Sequence, residues 1–155
     1  MSKQTAWTLA DLSALPEDCA VEVLDGAPLV RANPLPVHQR IIRRLASALE
    51  TQLPDAWQLE TRVPLLLADN PLDYLCPDLV VFGADVPLTE RFVSGASVLL
   101  VVEIVGTNPS ITNAYARARI PHYWRVEENS VQTHVLDTGR YVPTGVCALS
   151  DVRFS

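Results

Sequence analysis

The sequence predicts a mixed α/β fold, a central sheet flanked by helices with a β-hairpin near the N-terminus. Three observations carry this. Ile41, Ile42, Leu45 and Leu49 recur at helical spacing. Two short runs rich in Val and Leu, Leu79-Val80-Val81-Phe82 and Val98 to Val105, are bounded by Pro or Gly and read as buried strands. Asp25-Gly26 between Val21-Glu22-Val23-Leu24 and Ala27-Pro28-Leu29-Val30-Arg31 is a strong two-residue hairpin signal.

Taken in order, Thr8 caps a short helix with Asp11 at its third position, and Pro16 marks its end. The hairpin follows. Asn33-Pro34-Leu35-Pro36 then launches the main helix, expected over about Val37 to Gln52 and stopped by Pro54. Trp57–Thr61 and Val63–Leu67 read as strands, with Pro64 confining the second to an edge or a strand start. Ala68 to Asp73 reads as loop, and so does Pro87 to Ser97 between the two apolar runs. Asn108-Pro109-Ser110 turns into a short helix over Ile111 to Arg119. His122–Val126, Val131–Leu136 and Gly139–Val142 complete the set as strands. A chain of 155 residues is expected to form one domain, residues 1–155, with a substantial core.

Composition narrows the function. Hydrophobic residues make up 48% and charged residues 19%, which fits a globular chain. No apolar run approaches the roughly 20 residues of a membrane span, and the N-terminus lacks a secretory pattern, so a cytoplasmic protein without membrane contact is expected. Cys19, Cys76 and Cys147 are odd in number and far apart; they read as reduced thiols, and without a CxxC they do not read as structural zinc ligands. The net charge of −6 disfavours loose nucleic-acid binding but leaves room for a local basic face. Eleven of the twelve basic residues are arginine, suited to forked contacts with phosphate. No P-loop, dinucleotide fingerprint or nucleophile elbow occurs.

The chemistry concentrates in a split acidic motif. Pro77-Asp78 opens the first apolar run and Glu103 lies inside the second. A carboxylate in a buried strand is costly unless paired, protonated or bound to a cation. Two of them on neighbouring strands suggest one shared Mg²⁺ or Mn²⁺, held by Asp78 and Glu103. Convergence of the two with room for a cation would favour that reading. An arginine filling the space would count against it.

Around this pair several residues admit two readings. Glu22 is a third carboxylate near the metal, or a solvent-facing or arginine-paired residue on an alternating strand. His38, beside Gln39 at the start of the main helix, contacts metal-bound water or phosphate, or simply bonds to backbone. Arg40, Arg43 and Arg44 form a phosphate-facing patch, or a solvated helix face. Arg117 and Arg119 offer charge near the acidic pair, or face solvent. Tyr123 and Trp124 read as core rather than as a base-stacking platform.

Six stretches in this order resemble the Uma-two family, a restriction-endonuclease-like branch of the PD-(D/E)XK nuclease superfamily. They are Val21 to Gly26, His38-Gln39-Arg40, Pro77 to Val81, Val101 to Val105, Tyr115 to Ala118, and Ile120-Pro121-His122-Tyr123-Trp124-Arg125-Val126-Glu127. The resemblance implies a restriction-endonuclease-like mixed sheet flanked by helices and metal-dependent hydrolysis of phosphodiesters, with DNA as the expected partner. It assigns Asp78 and Glu103 as catalytic metal ligands. The usual third position, two residues after the glutamate, is Val105. In this family a lysine on the following helix stands in, within a run resembling Ser-Pro-x-Ser, Thr, Asp, Lys and Tyr-Ala-x-Ala-Gly. Here Gly106 to Tyr115 is shorter and holds neither that Asp nor that Lys; Arg119 replaces the Gly, and the only lysine is Lys3. The alternative is therefore a catalytically inactive nuclease fold, serving as a binding or assembly module in a homodimer.

Overall fold

The structure is a computed structural model describing residues 5–16, 20–31, 33–104 and 108–154. Lys3, Cys19 and Val105 to Thr107, on which several expectations bear, lie outside the described residues.

Two sheets form instead of one. The larger contains β3 (Trp57–Thr61), β6 (Leu79–Gly83), β8 (Val98–Ile104), β9 (His122–Glu127), β10 (Ser130–Asp137) and β11 (Arg140–Ala148). Its order is β11-β10-β9-β8-β6-β3, antiparallel except for β8 beside β9. The smaller sheet contains β1 (Glu22–Leu24), β2 (Ala27–Leu29), β4 (Leu65–Asp69), β5 (Leu72–Leu75) and β7 (Val93–Ser94), in the order β2-β1-β5-β4-β7. Two expected loops thus contain strands: residues 68–73 end β4 and begin β5, and residues 87–97 contain β7. Pro28 and Pro143 sit on the outermost strands β2 and β11, where a missing N–H costs no ladder bond.

Side-chain alternation decides what each face of the larger sheet meets. Leu79, Val81, Leu100, Val102, Trp124 and Val126 pack against Ile41, Ile42, Leu45 and Leu49 of the main helix α2 (Pro36–Glu50). Val80, Phe82, Val101 and Tyr123 turn the other way. They pack with Leu65 and Leu75 of the smaller sheet and with Ile111, Ala114 and Tyr115 of helix α3 (Pro109–Arg117). Glu103 lies two residues beyond Val101, so it faces the smaller sheet and α3. The short N-terminal helix α1 (Leu9–Ser13) carries the expected capping box between Thr8 and Asp11. No described helix is long and apolar enough to cross a membrane.

The Asp25-Gly26 turn forms as read, both residues having positive φ (51° and 77°), as a type I′ turn requires. It fixes the register Leu24↔Ala27, Val23↔Pro28 and Glu22↔Leu29. A Cβ on Gly26 would meet Ala6 Cβ at 2.9 Å, so close packing as well as φ demands glycine there.

Helix α3 ends in a Schellman motif. Arg119 N–H donates to Ala116 O at 3.0 Å and Ile120 N–H to Tyr115 O at 3.3 Å, with Ile120 fully buried. Arg119 holds φ 62° there, a left-handed conformation that costs a side chain with a Cβ about 1 kcal/mol. The family's glycine adopts it freely. Arg119→Gly is therefore expected to raise unfolding stability by about 1 kcal/mol, read from urea denaturation; a destabilised variant would contradict the assigned backbone.

Candidate acidic site

Asp78 immediately precedes β6, and Glu103 is the sixth residue of β8. The antiparallel pairing Leu79↔Val102 brings them side by side. Asp78 Oδ2 accepts the Ile104 backbone N–H at 2.7 Å. Glu103 is only 6% exposed, and its Oε1 accepts the Tyr115 hydroxyl at 2.6 Å. Glu22 comes from the smaller sheet, with Oε1 accepting the Cys76 N–H at 2.7 Å. Each of the three carboxylates thus has one oxygen tied down by a protein donor.

The remaining oxygens of Glu22 and Glu103 meet one guanidinium. Arg31 Nε lies 2.8 Å from Glu22 Oε2, and Nη1 donates to Glu103 Oε2 at 3.1 Å. No acceptor among the described residues lies within hydrogen-bond reach of Nη2, although it is buried. Glu22 is therefore arginine-paired, as one of its two readings held, and it also joins the acidic group.

The electrostatics follow from burial. Desolvation pushes the Glu103 carboxyl up to about 7, and the nearby Asp78 charge adds to this, against the opposing pull of Arg31 and the Tyr115 hydroxyl. Glu22 is raised for the same first reason, partly offset by the Cys76 N–H and Arg31. Burial pulls the Arg31 pKa down, but Glu103 and Glu22 outweigh it and the net shift is upward. Burial also raises the Cys76 thiol to about 11, an inert rather than a nucleophilic thiol.

The group lies at one wall of an open cleft of about 1080 Å³, also lined by His38, Arg62, Arg91 and the start of α3. Of the other predicted contacts, Gln39, Arg40 and Arg44 are exposed on α2 and do not line the cleft. Their spacing matches the solvated face of a helix packed on its opposite side. Arg117 turns to Asp73, with Nη2 at 3.2 Å from Asp73 Oδ2, and so does not take the missing lysine's place. Asp73 is buried, and its other oxygen accepts the Asp25 N–H at 2.7 Å, joining α3 to the hairpin turn. Tyr123 and Trp124 are core, as read.

Sequence reasoning missed Arg31 and the role of Tyr115. Arg31 carried a legible signal. The two-residue turn pairs Glu22 with Leu29, so Arg31, two residues further along, is the diagonal same-face neighbour of Glu22. The 95% exposure of the intervening Val30 shows the same alternation.

Among the described residues, no three His, Cys, Asp or Glu side chains stand close enough together to enclose an ion. The donors nonetheless suit a hard divalent cation in kind, being carboxylates with one oxygen anchored. Arg31 occupies the position between two of them.

A carboxyl whose pKa is higher in the folded than in the unfolded chain favours folding at low pH, and that stability is lost as pH rises through the folded value. In metal-free buffer, wild-type stability is therefore expected to fall between about pH 5 and pH 8, and Glu103→Gln should flatten the fall. Parallel profiles for the two proteins, from denaturant melts at several pH values, would contradict the assigned environment of Glu103.

Comparison with known proteins agrees with this architecture. Residues 9–153 match the Uma2 family, described as "Putative restriction endonuclease". A crystal structure described as "a putative nuclease belonging to DUF820", from Anabaena variabilis, superposes with a TM-score of 0.70 at 16% identity. The match covers 88% of this chain and 83% of that one. No curated protein matches the sequence. With the fold shared and the family pattern running nearly end to end, this chain belongs to the Uma2 family of restriction-endonuclease-like proteins.

Proposed function

We propose that this protein is a divalent-metal-dependent endonuclease acting on phosphodiester bonds in DNA, with Glu22, Asp78 and Glu103 as its acidic centre. One observation carries the reading. Asp78 and Glu103 stand side by side at the wall of a cleft that Glu22 also lines, and each of the three has one oxygen fixed by a protein donor. Glu22, Asp78 and Glu103 outnumber Arg31 and the nearby Arg62, and that excess of negative charge attracts a cation.

Asp78 and Glu103 would hold Mg²⁺ or Mn²⁺, with Glu22 at the edge of the site. Bound there, the ion would polarise the scissile phosphate and acidify a water. The chain's own groups do the positioning. Tyr115 holds Glu103 in one orientation through its hydroxyl, the Ile104 N–H does the same for Asp78, and the Cys76 N–H for Glu22. His38 and Arg62, on the same cleft, would meet the non-bridging oxygens of a bound phosphate.

A second reading is favoured by the guanidinium itself. Arg31 spans Glu22 and Glu103, and α3 carries no lysine, a pattern that suits a catalytically inactive nuclease-fold binding module, including one that assembles as a homodimer.

The decisive assay is nicking of supercoiled plasmid with Mg²⁺ or Mn²⁺. Wild-type protein is expected to nick, and Asp78→Asn to nick about a hundredfold more slowly. DNA binding without cleavage in either metal would favour the binding-module reading. Cleavage that survives Asp78→Asn unchanged would remove the acidic centre from the chemistry.

A further inference from the structure

Arg31 meets the two carboxylate oxygens, Glu22 Oε2 and Glu103 Oε2, that have no other protein donor. Those are the atoms a cation would need. The guanidinium brings one positive charge to two glutamates, whereas a divalent ion would bring two. Its own satisfaction is incomplete, since Nη2 and Nε are both buried without a hydrogen-bond partner, the 2.8 Å contact of Nε with Glu22 being an ion pair only. A guanidinium has five N–H donors, and each one left unmet in a buried place weakens its hold. Arg31 also lies two residues past the end of β2, and its side chain is 29% exposed toward the cleft side. It can withdraw without breaking a ladder hydrogen bond.

From these observations we infer that Arg31 and a divalent cation are alternative occupants of the same carboxylate centre, with Arg31 serving as an internal counter-ion that a cation displaces. The inference rests on the metal-site reading above and adds to it a competitor encoded in this chain. It also accounts for how three acids can remain together in the cation-free protein. A buried carboxylate group with no counter-charge is strongly destabilising, and one arginine supplies the minimum relief. Wild-type affinity for a cation is then the intrinsic affinity reduced by the cost of moving the guanidinium out.

The test is calorimetric titration of Mn²⁺ into cation-free wild type, Arg31→Met and Arg31→Lys, with folding checked by circular dichroism. Arg31→Met is expected to bind Mn²⁺ about tenfold more tightly than wild type or better. Arg31→Lys should fall between them, since an ammonium cannot fork across both glutamates. Equal affinities for wild type and Arg31→Met would overturn the competition while leaving the metal site in place. No binding by either folded protein would remove the metal site and the competition together.

Arg31→Met also leaves the buried Glu103 and the half-buried Glu22 without their partner, so a wild-type readout stands beside it. The Arg31 Nε–Hε NMR signal, assigned by its loss in Arg31→Lys, is expected to move with added Mg²⁺ along the binding isotherm. A signal unmoved at saturating Mg²⁺ overturns the inference regardless of how Arg31→Met folds.

Discussion

Glu103 is a carboxylate on a central strand, shut away from water, and much of the molecule around it is arranged to make that tolerable. Its neighbours along the strand, Val101 and Val102, offer only hydrocarbon, and Arg125, its partner on β9, pairs with Glu127. Relief comes from outside the larger sheet, from a tyrosine on α3 and an arginine at the end of the hairpin. Both have to be delivered to one point, which requires the smaller sheet to lie over the larger one and α3 to return beside it. Removing a charge from water costs several kcal/mol, more than any single hydrogen bond in the neighbourhood returns. The raised pKa of Glu103 shows that the compensation is incomplete.

Much of this was legible in the sequence where the signal was local. The α2 periodicity, the two apolar strands and the Asp-Gly turn all depend on residues within a few positions of one another, and all three formed as read. Strand β5 was hidden because Leu72–Leu75 is four residues long, follows a Pro, and contains an aspartate that is buried only because Asp25 and Arg117 reach it from distant segments. The full length of β11 was hidden by Pro143 and Gly145, which an outermost strand tolerates and an interior one does not. Asp78 and Glu103 were legible as a pair, since a carboxylate beside or inside an apolar run stands out. Arg31 was not, because its role depends on a contact 72 residues away along the chain. Only the parity set by the hairpin turn pointed toward Glu22.

The likeness to a solved structure rests on architecture, at 16% identity. Arg119 takes a glycine's backbone conformation at the end of α3 and the Schellman motif still closes. Helix α3 begins with an Asn108 cap and brings Tyr115 to Glu103. What remains fixed is the packing of Ile111, Ala114 and Tyr115 into the core.

Asp73 gives this arrangement an unexpected dependence. It takes the N–H of Asp25 at the tip of the hairpin and the guanidinium of Arg117 at the last turn of α3. The hairpin carries Arg31 and the helix carries Tyr115, so the two groups that stabilise Glu103 hang from arms pinned to the same post. Slack in that post, which lies within β5 itself, would let both drift at once. The acidic centre is therefore remotely tensioned: a substitution with no contact to it, and no part in its chemistry, can detune it as thoroughly as one within it.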